Sequence, residues 1–390
     1  MAELNIFKVE YFWYQEEHEE TLLAKDVERE EFETSNSDCG SASGTSKCYP
    51  GTYFQISVRL VSSPILSKDQ TSVIYENDSL TTKTSYKYNT EKFLSPACIY
   101  KNDSKGNIRE EKFMYPSDFT GITDLDTISG GIRNLLDKHI LSPVIERSLY
   151  LKNSDSSNTR LLSSVFTSYR KDMPVPYRLY GMPVTTPLTD FAPASVSSTT
   201  INDSRYEKRI AFTSYDAKGN LLEQQKINDV KLNYLWDHNY TLPIAQVSNA
   251  DSSSIAYTSF EADSKGEWTY SGSTSGSYYM TGNKSYSMGG GNITKTGLVS
   301  ATYIVSYWGY GGSVNVNSAG PTKTGKTIGS WTYYEHEVTT TSITVSGSNT
   351  IDELRLYPKG AQMTSYTFSP LLGMTSQCDA NNRIAYYEYD

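Results

Sequence analysis

Residues 215–250 read YDAKGNLLEQQKINDVKLNYLWDHNYTLPIAQVSNA, and this stretch decides the fold. Asp216, Gly219 and Asn220 mark a chain reversal directly after Tyr215. Further on, Tyr234-Leu235-Trp236-Asp237 sets two rings two positions apart and then a second turn former. Residues i and i+2 of a strand share one face, so two rings there give a wide cross-strand contact before the chain reverses. A hairpin of this kind does not stand alone and needs a neighbour to cover it.

The unit recurs as Tyr86-Lys87-Tyr88-Asn89, Phe113-Met114-Tyr115-Pro116, Tyr366-Thr367-Phe368-Ser369 and Tyr387-Glu388-Tyr389-Asp390. The composition agrees with it. The chain is only 37% hydrophobic, and its 32 Tyr make up most of the aromatic content. Such a sequence suits half-buried pleated surfaces better than a Leu-rich helical bundle. Alternating runs at Thr82–Tyr88, Ser163–Tyr169, Arg209–Tyr215, Tyr303–Trp308 and Ser342–Ser346 read as strands. One helix is expected over about Asp124–Ile140, where Ile128, Ile132, Leu135, Leu136 and His139 recur near helical period and Arg133 and Asp137 stand at i,i+4. Gly130 and Gly131 oppose it. The acidic stretch Glu16–Glu33 reads equally as a second helix or as an exposed strand pair.

Residues 255–358 change character. Gly and Ser rise, as in SGSTSGSYYMTGNKSYSMGGGN, and turns recur at the spacing of a β-sandwich of about 100 residues. Within Tyr303–Trp308, alternation sends Tyr303, Val305 and Tyr307 to the core and Trp308 to the opposite face. The expected fold is therefore mainly β: stacked antiparallel hairpins with an inserted β-sandwich and one short helix. The expected divisions are an acidic segment 1–50, a hairpin region 51–254, the sandwich 255–358, and renewed hairpins in 359–390.

Charge and motifs narrow the function. The formal net charge of -9 matches that of residues 1–38 alone, which hold 12 acidic and 3 basic residues. No basic patch stands out, so nucleic acid is not an expected partner. No run approaches the ~18 apolar residues of a membrane helix. Cys39 and Cys48 flank a Gly/Ser-rich loop, a spacing open both to a local disulfide and to two free thiols. Cys98 and Cys378 are isolated. His18, His139, His238 and His336 lack metal spacing, and Glu-His-Glu at 335–337 reads as surface charge. Gly320-Pro-Thr-Lys-Thr-Gly325-Lys326-Thr327 matches the phosphate-loop pattern, whose chemistry needs a buried parallel strand before it and a helix after it. The flanks GYGGSVNVNSA and IGSWTYYEHEV are polar and alternating, so it reads as a hairpin loop. No catalytic constellation emerges, and the chain is read as a non-enzyme.

The repeated units resemble the RHS/YD-repeat family of large surface or secreted bacterial proteins. The stretches 215–250 and LRLYPKGAQMTSYTFSPLLGMTSQCDANNRIAYYEYD (354–390) carry the resemblance, with weaker likeness over most of 50–390. It implies structural roles for Tyr86, Tyr88, Tyr215, Asp216, Gly219, Tyr234, Trp236, Tyr366, Phe368, Tyr387, Tyr389 and Asp390. It also implies an extracellular or cell-surface setting, although no signal peptide is visible. The chain would be part of a longer polypeptide, a shell or scaffold whose partner is its own remainder or an effector domain. Ser369 stands where the self-cleavage motif of complete RHS cores has an acid, which argues against proteolysis. Residues 255–358 look like carbohydrate-binding modules, which are jelly-roll-like. That second resemblance implies a structural calcium held by Glu261 and Asp352, and a glycan platform from Trp308, Tyr310 and Tyr334, with an inter-sheet or inter-domain contact an equally open reading for Trp308. No other cofactor is expected.

Overall fold

The computed structural model describes residues 7–15, 66–75, 79–89, 93–103, 106–119, 121–122, 126–153, 155, 157–195 and 200–390. Cys39, Cys48 and the stretch Glu16–Glu33 lie outside them. The chain is mainly β, its strand pairs are antiparallel, and one α-helix occurs among the described residues. It divides into two compact units, 1–112 with 150–159 and 113–149 with 160–390.

The first unit is an antiparallel meander. β1 (Phe7–Gln15), β2 (Leu66–Tyr75), β3 (Ser79–Asn89), β4 (Phe93–Asn102) and the start of β5 (Ile108–Met114) pair in sequence order. Tyr86 and Tyr88 sit at the end of β3, opposite Ile99 and Pro96. Glu110 is buried there, with Lys152 Nζ at 2.8 Å.

The second unit takes in the end of β5 and, after it, the helix α1 (Thr127–Asp137). Asp126 caps it: its Oδ1 accepts from Ser129 N at 2.6 Å, and Ser129 Oγ accepts from Asp126 N at 2.8 Å. The expected helix was longer at both ends. His139, read as part of the period, is left-handed (φ 56), and Ile140 N donates to Leu135 O, so the helix closes there. Gly131 favours the packing instead of spoiling the helix. A Cβ at this position would stand 2.0 Å from the Tyr169 carbonyl oxygen, so only glycine lets the helix lie flat on the strand beneath. Ile132, Leu135, Phe119, Ile145, Phe166 and Tyr180 form the core under it.

After β6 (Glu146–Lys152) come β7 (Arg160–Tyr169), β8 (Pro176–Gly181), β9 (Glu207–Tyr215), β10 (Leu221–Lys226), β11 (Lys231–Asp237) and β12 (Leu242–Ser248). From β7 onward each pairs with the next. Three turns are built alike, the expected one at 216–220 among them. In 103–107, 216–220 and 379–383 the leading Asp Oδ1 accepts from the backbone N–H four residues on, at 2.8, 2.9 and 2.8 Å. The fourth residue of each is left-handed: Gly106, Gly219 and Asn382.

Ser248 of β12 then pairs with Gln362 of β23 (Gln362–Ser369), followed by β24 (Gly373–Cys378) and β25 (Ile384–Tyr386). Residues 249–361 therefore occupy the place of a hairpin turn between two adjacent strands, and the ladder resumes beyond them. Within this insertion, two sheets face each other across a core. The larger runs β14 (Thr274–Ser275), β15 (Ser285–Ser287), β22 (Thr350–Pro358), β17 (Ala301–Tyr310), β20 (Trp331–Thr340), β19 (Lys323–Ile328), with β13 (Ala256–Thr258) also on β22. The smaller is β16 (Ile293–Lys295), β21 (Ile343–Ser346), β18 (Asn315–Val316). Tyr303, Val305 and Tyr307 point into the core with Ile343, Val345, Leu354 and Leu356. The phosphate-loop pattern falls on β19, an exposed edge strand antiparallel to β20. With no helix after it, it has no phosphate-binding geometry.

Candidate functional site

The face of the ladder beneath the insertion is unusually polar. Asn233, Asp237, Ser365, Thr367 and Ser376 are buried there among Leu235, Val247 and Met363. Buried polar groups need partners: Thr367 and Ser376 bond each other within the ladder, while the insertion supplies partners to Asn233, Asp237 and Ser365. Asp237 Oδ1 accepts from Ser264 N at 2.9 Å, and its other oxygen takes the Ser264 hydroxyl. Trp308 Nε1 donates to Asn382 Oδ1 at 3.2 Å.

A bulge in β22 organises the centre. Ser306 pairs with Arg355 but Trp308 pairs with Asp352, so β22 holds one extra residue, and Glu353 takes a left-handed φ of 53. The extra residue turns Asp352, Glu353 and Arg355 to the ladder side, while Ile351, Leu354 and Leu356 stay in the sandwich core. Arg355 Nη2 donates to Ser365 Oγ at 2.6 Å and to Glu353 Oε2 at 3.2 Å, and Nη1 reaches Asp379 O at 3.1 Å. Ser365 Oγ donates to Glu353 Oε2 at 2.8 Å. Tyr257 and Thr281 each donate to Glu353 Oε1 at 2.7 Å. Burial and the neighbouring Glu353 push the Asp352 carboxyl well above the usual carboxylate range. Burial also raises the Cys378 thiol to about 12, so it is inert as a nucleophile.

The two acids expected as calcium ligands fasten one loop. Asp352 Oδ2 accepts from Met280 N at 2.7 Å and from Thr281 N at 2.9 Å, and Oδ1 accepts from Glu353 N at 2.7 Å. Glu261 Oε1 accepts from Asn283 N at 2.6 Å and from Lys284 N. N–H dipoles thus point at the oxygens a cation would need, which does not suit calcium. Among the described residues, no group of three His, Cys, Asp or Glu could hold a metal.

Trp308 is fully buried against Trp331, Tyr333 and Met280, so the glycan-platform role expected for it is corrected to a contact between insertion and ladder. Its ring does lie opposite the core, as alternation required. Tyr334 is half-buried and leans on Tyr307 with ring centroids 5.7 Å apart, beside the core. Tyr310 is half-buried and stacks on Tyr278, which was not singled out in the sequence.

The repeat residues are placed on the ladder's more open face. Tyr234, Trp236, Tyr366 and Phe368 alternate with the buried Asn233, Leu235, Ser365 and Thr367. Their polar ends stitch neighbouring strands: Trp236 Nε1 donates to Leu221 O at 2.8 Å, and Tyr215 OH donates to Pro176 O at 2.6 Å. Tyr387 and Tyr389 lie just past β25, exposed, and Tyr389 OH donates to Met374 O at 2.8 Å. Asp390 is exposed. The Glu353–Arg355 cluster was missed in the sequence. Its only signal is the run Ile351-Asp-Glu-Leu-Arg355-Leu356, in which period-two alternation breaks by one residue. No family model matches the chain, and neither does any curated protein.

Proposed function

We propose that the chain is a non-catalytic scaffold: a ladder of stacked hairpins that holds a β-sandwich module within a larger secreted or cell-surface protein. The observation behind this reading is the insertion point. The module stands where a hairpin turn would be, between Ser248 and Gln362, and the ladder continues through β23 to β25. Its attachment is by buried, hydrogen-bonded polar groups, which fix orientation more than they add stability. The half-exposed aromatic pairs and the repeated Asp-led turns agree with the RHS/YD-repeat likeness, which suggests the extracellular setting and the longer polypeptide or effector as partner. Labelling of intact producing cells with a membrane-impermeant amine reagent tests the setting. The scaffold is expected to be labelled or found in the medium; labelling only after lysis would sink the reading.

A further inference from the structure

We infer that Leu371 and Leu372 form a projecting apolar tip at one end of the ladder, which inserts shallowly into a lipid bilayer and rests the chain on a membrane surface without crossing it. The tip is the turn between β23 and β24. Leu372 N donates to Ser369 O at 3.1 Å, Pro370 takes the second position, and Leu371 takes the third with a φ of 74. The third position of such a turn calls for Gly or Asn, because other side chains are strained there. Leu371 occupies it all the same, at 106% exposure, and Leu372 beside it is 67% exposed. Backbone and water both disfavour leucine here, and a bulky residue held against both points to a contact outside the fold.

The tip has neighbours on the same rim. β12 runs antiparallel to β23, with Ala245 opposite Ser365, so the turn that leads into β12 lies at the tip's end of the ladder. His238 of that turn meets Phe368 edge-on, with ring centroids 6.2 Å apart. His238, Asn239 and Tyr240 are all left-handed (φ 51, 58 and 61), and Tyr240 is 51% exposed. The turn at 216–220 is tied to this one. Lys218 Nζ donates to Asn239 O at 2.7 Å and lies 5.1 Å from the centre of the Tyr240 ring, and Asn220 Nδ2 donates to Tyr240 O at 2.6 Å. Three turns are thereby fixed side by side, presenting two leucines, a tyrosine and a lysine.

Shape and side-chain chemistry choose the occupant. The leucines stand out from the rim, so a protein partner would need a pocket cut to them, whereas a bilayer takes a convex apolar tip of any outline. Tyr240 joins an apolar ring to a polar end, the combination that settles at the headgroup level. Lys218 bonds neutral oxygens of Asn239 and, among the described residues, no carboxylate, so its ammonium can meet a lipid phosphate. Acids are also close. Asp216 is engaged by the N–H groups of Lys218 and Asn220, Asp172 is paired with Arg170, and Asp263 is exposed beside Ser264, which bonds Asp237 at the edge of the rim. With both signs present, the apolar tip carries the binding and charge only adjusts it.

Co-flotation of the full chain with vesicles of phosphatidylcholine, with and without a minor share of phosphatidylglycerol, tests the tip. The chain is expected to float with both and to stay bound as salt is raised, because apolar burial is not screened. Leu371→Gly and Leu372→Ser should each weaken binding about tenfold. Leu371→Gly should also keep the parent's thermal midpoint within a few degrees, since glycine suits the left-handed turn, which separates lost binding from lost folding. Leu371→Met, which restores an apolar side chain, should float like the parent. Absence of flotation with either vesicle overturns the proposal. So does flotation that salt abolishes, or flotation that Leu371→Gly leaves intact. Self-association that Leu371→Gly removes, with no vesicle binding, overturns it as well and makes the tip a contact between copies of this chain.

Discussion

Arg355 is the residue on which the junction between insertion and ladder turns. It is buried, and its guanidinium ties Glu353, Ser365 and the Asp379 carbonyl together. Removing one partner of a buried pair leaves the other uncompensated, so Arg355→Met should destabilise the chain by about 3–5 kcal/mol in urea unfolding. A loss under about 1 kcal/mol would mean that Glu353 is neutralised some other way. His336 makes a pH prediction. It is buried, its Nε2 lies 3.1 Å from Tyr307 OH, and burial pushes its pKa down to about 4. The unfolded chain takes up this proton near pH 6.5 and the folded one only near 4, so stability falls as pH drops through that window. The His336 part amounts to about 3 kcal/mol. Asp203 and Asp172, held down to about 2 by Arg205 and Arg170, act only at lower pH. The difference in stability between the parent and His336→Gln should therefore change between pH 7 and 4; a constant difference would contradict the assignment.

At the scale of elements, α1 shows how a sequence signal can be correct and misread at once. Gly130 and Gly131 lower helix propensity, yet Gly131 is where the helix touches the Tyr169 carbonyl. Gly131→Ala should gain local propensity and still destabilise by about 1–3 kcal/mol through overpacking. Gly320→Ala, with open space around it, should be nearly neutral. Equal thermal midpoints for the two variants would refute the close approach. The repeat turns were legible because Asp, Gly and Asn do their bonding within five residues. The β22 bulge was not legible, because one extra residue shows only against the partner strand.

For the molecule as a whole, the second unit should unfold cooperatively. The insertion and the ladder share a buried polar interface, and neither can expose it cheaply. In hydrogen exchange, peptides of β17 and β23 should lose protection in one event, and Arg355→Met should weaken both. Persistent protection of β23 and β24 after the sandwich strands have exchanged would show two independent folding units.

What the sequence determined by itself is local and periodic: strands from alternation, turns from Asp, Gly and Asn, and the face opposite the core for Trp308. These follow from backbone geometry over a few residues, which any neighbour must respect. Tertiary structure alone decided what the outward faces meet. It buried Trp308 against the last hairpin, turned Asp352 and Glu261 from expected cation ligands into anchors of a loop, and left Tyr278 open. Exposure is set by contacts between residues far apart in the chain, here 308 with 382 and 280 with 352, and no local pattern encodes such a pairing.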